Sequence, residues 1–561
     1  MKLIRPSDRS RDRFLSGVSV LTVSAVIVKI IGLACRIPLL NALGTEGMGY
    51  FNTAVEVYAL LCVLSTAGLP VAMSVTISSA PDAGGRAYTD RVFSVSLGAF
   101  LALGLTGTAG LYLLAGPIGR LLESPDAAPC IRAVSPTVLL ICLSGAFRGW
   151  FQGSRRMTPT AVSQIIEALG KLILGLTFAE LSRARGADLP HIAASAVLGL
   201  TVGTGLSVLY LLLSKRRADK KTPSDAFGLP AAELPSHRAM LRRLASVALP
   251  ITVSAGVISL TKCLDLALIL RRMQDAGHTA AEANALYGCW STLAVPVFNV
   301  LPALTTPVAM SAVPALAESL HRLTGAGRND ADLSPGVAAG RIHALEDVRR
   351  TASQALGLTT LLSVPAGLGL CLYAEDILRL LFPAQPAAAA AAAPWLSLLG
   401  LSVPAACLIT VLGAMLQAAG HASYPVISMI AGLAVKLVLS YVLLGDPALG
   451  LMGAPISSLC CDTVILTLDF AFLAVKAPEV MPPPGGLLRL FLGPLLLSVP
   501  ALGLVPLLAA AVGLTGSSPS STVLRIAATA VLYGVGVSAA ILVSRRRGRH
   551  RPHTNIVNAG G

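Results

Sequence analysis

Charged and aromatic residues are scarce in this 561-residue sequence, at 13% and 5%, against 54% hydrophobic residues. The chain has no HExxH pair and no Walker-type glycine loop, which excludes a zincin-type protease and an ATP-driven engine. Its ten cysteines show no paired spacing and fall mostly in apolar runs, which predicts small buried residues rather than a disulfide framework. No soluble segment is long enough to fold an enzyme domain. These absences exclude a soluble enzyme.

Long apolar runs are what the sequence has in abundance. The mean hydropathy of +0.74 is too high for a soluble chain and indicates a polytopic membrane protein. Counting runs of about 20 residues predicts fourteen transmembrane helices. They lie near residues 14–42, 49–79, 92–118, 130–151, 158–181, 189–213, 244–270, 283–317, 351–373, 390–417, 422–444, 450–475, 487–513 and 521–543.

Positive charge is distributed unevenly among the loops. Most of the 43 lysines and arginines fall on the side that holds both termini, including the "SKRRADKK" loop and the "RRRGRHR" tail. By the positive-inside rule, both termini are predicted to be cytoplasmic. The protein itself is predicted to lie in the inner (cytoplasmic) membrane. The net charge of +15 is therefore an orientation signal and requires no nucleic-acid partner.

The two halves of the chain repeat one plan. "PVAMS" occurs near residues 70–74 and again at 307–311, and Gln152 and Lys171 recur with the same spacing as Gln417 and Lys436. This predicts an all-α fold with two parallel six-helix repeats and two additional C-terminal helices. The predicted segments are a basic N-terminus (1–13), a first lobe (14–214), a linker (215–243), a second lobe (244–476), a lipid-tail groove (485–543) and a basic tail (544–561).

Of the lysines and arginines inside the predicted spans, five lie well away from the span ends, where each would cost about 2.5–3.5 kcal/mol if it faced lipid. We therefore expect them to face a polar interior. A cavity with surplus positive charge suits an anionic substrate, phosphate above all. The candidate substrate-binding residues are Lys29, Arg36, Lys171, Lys262 and Lys436.

Two of these lysines have an acid within their own helix. Glu167 precedes Lys171 by four residues, and Lys262 precedes Asp265 by three, so each pair lies on one helix face. Neutralisation within each pair and a ligand role for each lysine are both open interpretations. The functional argument is carried best by the cations without an acid in their own helix: Lys29, Arg36 and Lys436.

The turns that follow the fourth and tenth spans supply candidate hinge or substrate-access residues: Arg148, Gln152, Pro159 and Gln417. Contact with lipid headgroups is the default interpretation of Arg148. The two glutamines either contact substrate or satisfy the backbone at tight turns. Pro159 starts a helix, where its missing N–H does little harm.

The stretch "RGWFQGSRRMTPTAVSQIIE" resembles the R/K-G-Y-F-Q-G…M-x-P-T-A-x-S-Q-x-x-E hallmark of the stage V sporulation protein B family of polysaccharide-biosynthesis flippases. That family is a branch of the multidrug/oligosaccharidyl-lipid/polysaccharide exporter superfamily. "GTEGMGYFN", "GLPVAMS", "LTKCLDLALILRRMQDAG" and "MLQAAGHASYPV" fall in the order the family would place them. Trp150 departs from the family's usual tyrosine.

The resemblance implies a fourteen-helix fold and a relationship to lipid II flippases. By that match, Lys29 and Arg36 inherit a role in gripping a lipid diphosphate. Lysine at position 29 replaces the usual arginine, which puts bidentate phosphate contact there in doubt. Asp265 matches an aspartate in a region that hosts a coupling cation in relatives, which makes it the candidate ion-coupling residue for Na+ or H+. No other cofactor is expected.

Together these features predict a flippase, not an enzyme, that moves a polyprenyl-diphosphate-linked saccharide such as lipid II by alternating access. Its expected partners are the lipid-linked saccharide, membrane lipids and cell-wall synthesis proteins. Two alternatives stand beside it. A cation-coupled multidrug antiporter predicts a cavity rich in acids and aromatics. The second alternative, a non-transporting scaffold for a wall-synthesis complex, would explain the topology but not the cations near the middle of the membrane.

Overall fold

The computed structural model describes residues 6–78, 85–154, 156–221, 236–326, 335–482, 484–511 and 519–549. Every regular element in these ranges is helical, and none is a strand. The α-helices are α1 (Pro6–Thr66), α2 (Leu69–Ser78), α3 (Gly85–Leu113), α4 (Ala115–Leu121), α5 (Ala128–Gly153), α6 (Thr158–Ala184), α7 (Leu189–Lys221), α8 (His237–Asp275), α9 (Ala280–Cys289), α10 (Val295–Ala326), α11 (Pro335–Leu372), α12 (Ala374–Leu381), α13 (Pro386–Ala418), α14 (Ser423–Leu443), α15 (Gly453–Lys476), α16 (Pro484–Ala511) and α17 (Pro519–Arg549).

The helices have the length and composition that a membrane requires. Within the described ranges, 13 stretches are long and apolar enough to cross a bilayer. The first of them, Ile27–Ser78, has 52 residues, more than twice the roughly 20 that one crossing needs. Counting it as two crossings agrees with the fourteen predicted spans. The predicted all-α polytopic class is confirmed.

The chain reverses direction at Gly44. This residue has φ 66° and ψ −177°, a conformation open essentially to glycine alone. On either side of it, Arg36 and Asn52 both hydrogen-bond to Ser291. In a straight helix these two residues would be about 24 Å apart, beyond the reach of their side chains. The two halves of α1 are therefore neighbouring helices joined at one glycine.

The returning half of α1 crosses α9 with the two backbones in contact. A Cβ atom on Gly49 would overlap the Asn284 backbone, and one on Gly288 would overlap the Thr45 carbonyl. Small residues at a crossing permit this close approach in membranes. Ser124 Oγ donates to Asn284 Oδ1 at 2.9 Å and anchors the crossing to the segment before α5.

The chain divides into two compact units. The first comprises the described residues up to Val300, together with Ala387–Trp395 and Ile430–Cys461. A cluster of buried apolar side chains from α2, α3, α5, α7 and α8 lies within it, with Phe100 and Phe151 among the largest. All but one of the predicted site residues belong to this first unit.

The second unit comprises Leu301–Pro386, Leu396–Met429 and the described residues from Asp462 onward. Its apolar cluster draws on α10, α11, α13 and α15, with Leu412 and Met415 at its centre. α16 packs against α11 and α17.

The predicted lobes, residues 14–214 and 244–476, stay a prediction, as does the lipid-tail groove at 485–543. Parts of the predicted basic segments, residues 1–5, 222–235 and 550–561, lie outside the described residues.

Candidate functional site

Arg36 is held by a short π-helix in the first unit. The π-helix, Trp290–Ala294, joins α9 to α10. Arg36 Nη1 donates to the Ser291 carbonyl oxygen at 2.5 Å. Asn52 Nδ2 donates to Ser291 Oγ at 2.9 Å and to Thr292 Oγ1 at 2.8 Å. Single π-turns interrupt the helical hydrogen-bond ladder and recur at functional sites. Here the turn offers a carbonyl oxygen to a half-buried guanidinium.

Lys171 on α6 adds a second cation close to Arg36. Its Nζ lies 5.4 Å from the centroid of the Phe51 ring, within the range of a cation–π contact. Lys171, Arg36 and Glu56 are close enough to interact electrostatically. Neither cation forms an ion pair within the described ranges. We call Arg36, Lys171 and Glu56 the α1 cationic site, which holds two positive charges and one negative.

Arg148 forms an ion pair between helices, and this corrects two expectations. Its Nη2 lies 2.8 Å from Glu167 Oε2, and the side chains are only 14% and 21% exposed. Arg148 also donates to Ser163 Oγ at 3.0 Å and Ser207 Oγ at 3.3 Å. The expected lipid-headgroup contact of Arg148 is wrong, because the side chain is enclosed by α6 and α7. Of the two open interpretations of Glu167 and Lys171, the ion pair within α6 is ruled out, because Glu167 is bound by Arg148.

A second interhelical ion pair joins α8 and α14. Lys436 Nζ lies 2.7 Å from Asp265 Oδ2, with side-chain exposures of 17% and 14%. Of the two open interpretations of Lys262 and Asp265, the ion pair within α8 is therefore ruled out, and Lys262 is exposed. Lys436 is not a surplus cation as predicted, because its partner comes from another helix. Asp265 Oδ1 is buried without a hydrogen-bond partner among the described residues.

Lys29 lies seven residues before Arg36 and so shares its helix face. It is exposed and forms no hydrogen bond or ion pair with any described residue. The substrate-binding roles of Lys29, Lys262 and the other predicted cations stay predictions.

The predicted turn residues lie where expected. Pro159 is in the first turn of α6. The backbone carbonyls of Gln152 and Gln417 accept the hydrogen bonds that end α5 and α13. In the part of the chain that the structure describes, neither glutamine side chain forms a hydrogen bond. Both side-chain amides are thus available for another contact. Gln417 is the one predicted site residue that lies in the second unit.

Sequence reasoning missed the polar residues that support these cations: Asn52, Ser163, Ser207, Ser291 and Thr292. Each is a polar residue within an apolar run, which was a usable signal for an inward-facing position. The π-helix itself left no signal in the sequence.

The fold and this enclosed set of charges define a polytopic helical membrane protein with a polar interior. The family model described as "Polysaccharide biosynthesis protein" matches residues 14–320, more than half of the chain. The chain belongs to this family. A second model, MatE, matches residues 342–442.

Two curated proteins of Bacillus subtilis (strain 168) are similar along most of the chain. Stage V sporulation protein B is 25% identical over 471 residues, covering 83% of this chain and 84% of that protein. Lipid II flippase MurJ is 26% identical over 482 residues, covering 83% and 82%. The resemblance stated from the sequence is confirmed, and so is the prediction that the chain is not an enzyme.

A solved structure, "Lipid II flippase MurJ, inward closed conformation", matches with a TM-score of 0.67 and 13% sequence identity. The match covers 92% of this chain and 98% of that one. At this identity the likeness establishes the shared polytopic fold.

Proposed function

We propose that this protein is a flippase that moves a polyprenyl-diphosphate-linked saccharide, lipid II or a similar cell-wall precursor, across the cytoplasmic membrane. The observation that carries the proposal is the α1 cationic site. Arg36 and Lys171 lie together in the membrane-spanning part of the chain, and the described residues give neither of them an ion pair. Cations at membrane depth mark substrate pathways, and a diphosphate is a fitting counter-ion.

The side chains suit the parts of such a substrate. The guanidinium of Arg36 keeps four N–H donors beyond the one given to Ser291, enough for a bidentate grip on phosphate. Lys171 adds a point charge beside it. Lys29 and Lys262, both exposed, extend the positive surface along α1 and α8. Lys436 contacts the diphosphate only when its ion pair with Asp265 breaks.

The transport cycle in this proposal is alternating access, as in transporters built from repeated lobes. The lipid tail stays in a groove along residues 485–543, and both termini are cytoplasmic. Na+ or H+ binding at Asp265 is part of the proposal, with Lys436 as the cation that an incoming ion displaces. Membrane lipids and cell-wall synthesis proteins are the proposed partners.

The test uses proteoliposomes that contain fluorescent lipid II, with transbilayer movement followed by quenching from outside. We expect movement in the wild type and a loss of tenfold or more in Arg36→Ala, because each charge-assisted hydrogen bond contributes about 1.5–3 kcal/mol. Lys171→Ala and Lys29→Ala are measured in parallel. Arg120→Ala is the matched control, since this exposed arginine of α4 also loses one positive charge.

Equal rates of lipid II movement in Arg36→Ala and Arg120→Ala would show that the diphosphate is bound at another site. A wild type that leaves lipid II unmoved but expels a fluorescent organic cation would favour the multidrug antiporter, to which the MatE match over residues 342–442 lends support. A scaffold predicts that Lys29→Ala retains full function in cells.

A further inference from the structure

Asp469 on α15 is the most isolated acid in the described part of the molecule. Its side chain is 1% exposed. Neither carboxyl oxygen has a hydrogen-bond partner, and no ion pair forms, among the described residues. Leu466, Phe470 and Leu473 on the same helix belong to the apolar cluster of the second unit. An aspartate lies within a hydrophobic core of membrane-spanning helices.

One uncharged polar side chain lies beside the acid. Ser428 on α14 is close enough to interact with Asp469. In the described geometry its hydroxyl donates to the Tyr424 carbonyl oxygen at 3.3 Å. A serine hydroxyl has a single hydrogen, so Ser428 gives Asp469 at most one hydrogen bond. One neutral hydrogen bond is too little to compensate for the charge of a carboxylate in an apolar interior.

No cation among the described residues forms an ion pair with the acid. Lys476 lies two helical turns away, is exposed, and places its Nζ 5.6 Å from the Tyr424 ring centroid. Helices α10, α11 and α13 contribute mainly apolar residues to this cluster. Among the described titratable groups, Tyr424 belongs to the same apolar cluster, His421 contacts the Tyr424 ring, and Asp462 and Lys476 lie on α15 itself.

We propose that Asp469 is a proton-binding site. Its carboxyl group holds a proton in the conformation described here. It releases that proton to water on one side of the membrane, leaving a carboxylate, when the transport cycle opens this packing to solvent, and it takes up a proton from the other side before the packing closes again. An isolated carboxylate in an apolar interior is costly enough that the group takes up a proton instead. A metal cation would need several ligands, and the described residues contain no group of three or more His, Cys, Asp or Glu side chains that could hold one. The release step rests on the proposed function, and the binding step does not.

Infrared spectroscopy of the full-length protein in liposomes tests the binding step without any substrate. We expect the carbonyl stretch of a protonated carboxyl at neutral pH, shifted in D2O and lost in Asp469→Asn. Asp265→Asn is the matched control and retains the band, because Asp265 is ion-paired as a carboxylate. A wild type without the band would overturn the proposal. So would a band that Asp469→Asn retains, or one that sodium alone removes.

A pH-sensitive dye trapped in liposomes tests the release step. We expect lipid II movement to change the internal pH in the wild type, and Asp469→Asn to abolish that change. Lipid II movement with no pH change, identical in wild type and variant, would overturn proton release. If the wild type moves no lipid II, the proposed function fails, and the infrared result still decides whether Asp469 binds a proton.

Discussion

Asp265 and Asp469 are both aspartates enclosed in membrane-spanning helices, but their surroundings differ. Asp265 in the first unit binds the ammonium of Lys436 at 2.7 Å. Asp469 in the second unit has apolar neighbours and no hydrogen-bond partner among the described residues. The first acid is suited to remain ionised as long as its helices stay together. The second is suited to carry a proton. A buried acid therefore has no fixed chemistry, and its neighbours determine whether it is a charge or a neutral donor.

Breaking the Asp265–Lys436 pair should have the largest effect on stability. Lys436→Ala leaves Asp265 buried without its cation, and we expect a loss of about 3–5 kcal/mol. Lys262→Ala, which removes an exposed lysine from α8, is the control and should change little. The free energy of unfolding in detergent measures both. Equal losses in the two variants would contradict the pairing, and Asp265→Asn in the Lys436→Ala background should restore part of the stability.

The Arg148–Glu167 pair should come next. Glu167→Ala removes the carboxylate from a guanidinium that keeps its two serine partners, and we expect a loss of about 2–3 kcal/mol. Lys171→Ala should lose less, because Glu167 keeps Arg148. Unfolding of the two variants side by side decides between the interhelical pair and the pair within α6. A larger loss in Lys171→Ala would favour the latter.

Asn52→Ala should have a moderate effect, about 1–2 kcal/mol, because the change removes two hydrogen bonds to the π-helix. Thr292→Val removes one of the two acceptors and should lose about half as much. Thermal unfolding measures both variants. An Asn52→Ala variant as stable as the wild type would show that the π-helix does not depend on this residue.

Asp469→Asn should have the smallest effect, a change within about 0.5 kcal/mol. Asparagine has nearly the shape of a neutral aspartic acid and, like it, donates a hydrogen bond. Measured beside Asp265→Asn, which removes the carboxylate that Lys436 binds, this variant tests whether the two acids differ as their surroundings predict. A large loss in Asp469→Asn would indicate an ionised carboxylate with a bound cation.

The sequence was sufficient for the fold because the bilayer imposes a rule that each segment must satisfy by itself. About twenty apolar residues make a crossing, and proline is tolerated in the first turn of a helix, as at Pro159. The cations of the candidate site could also be recognised locally, because each is a charged residue inside an apolar run. Arg36 and Lys171 were found because a charge at membrane depth is conspicuous without any knowledge of its neighbours.

The partners of those charges were not accessible from the sequence. The rule for pairs three or four residues apart describes one helix alone, and it offered Lys171 as a partner for Glu167 and Lys262 as a partner for Asp265. In the structure both acids bind cations from other helices, Arg148 and Lys436. Which helices are neighbours depends on packing across long stretches of chain, and no local spacing encodes it.

The reversal at Gly44 has a consequence for biogenesis. The insertion machinery receives Ile27–Ser78 as 52 nearly continuous apolar residues with no long hydrophilic loop to separate the first crossing from the second. These two crossings must therefore enter the bilayer together, as a hairpin whose bend depends on one residue without a side chain. If the bend failed and the segment crossed once, every later loop would emerge on the opposite face of the membrane. The bend at this glycine is thus needed for the sidedness that the charges of the loops indicate for the rest of the protein.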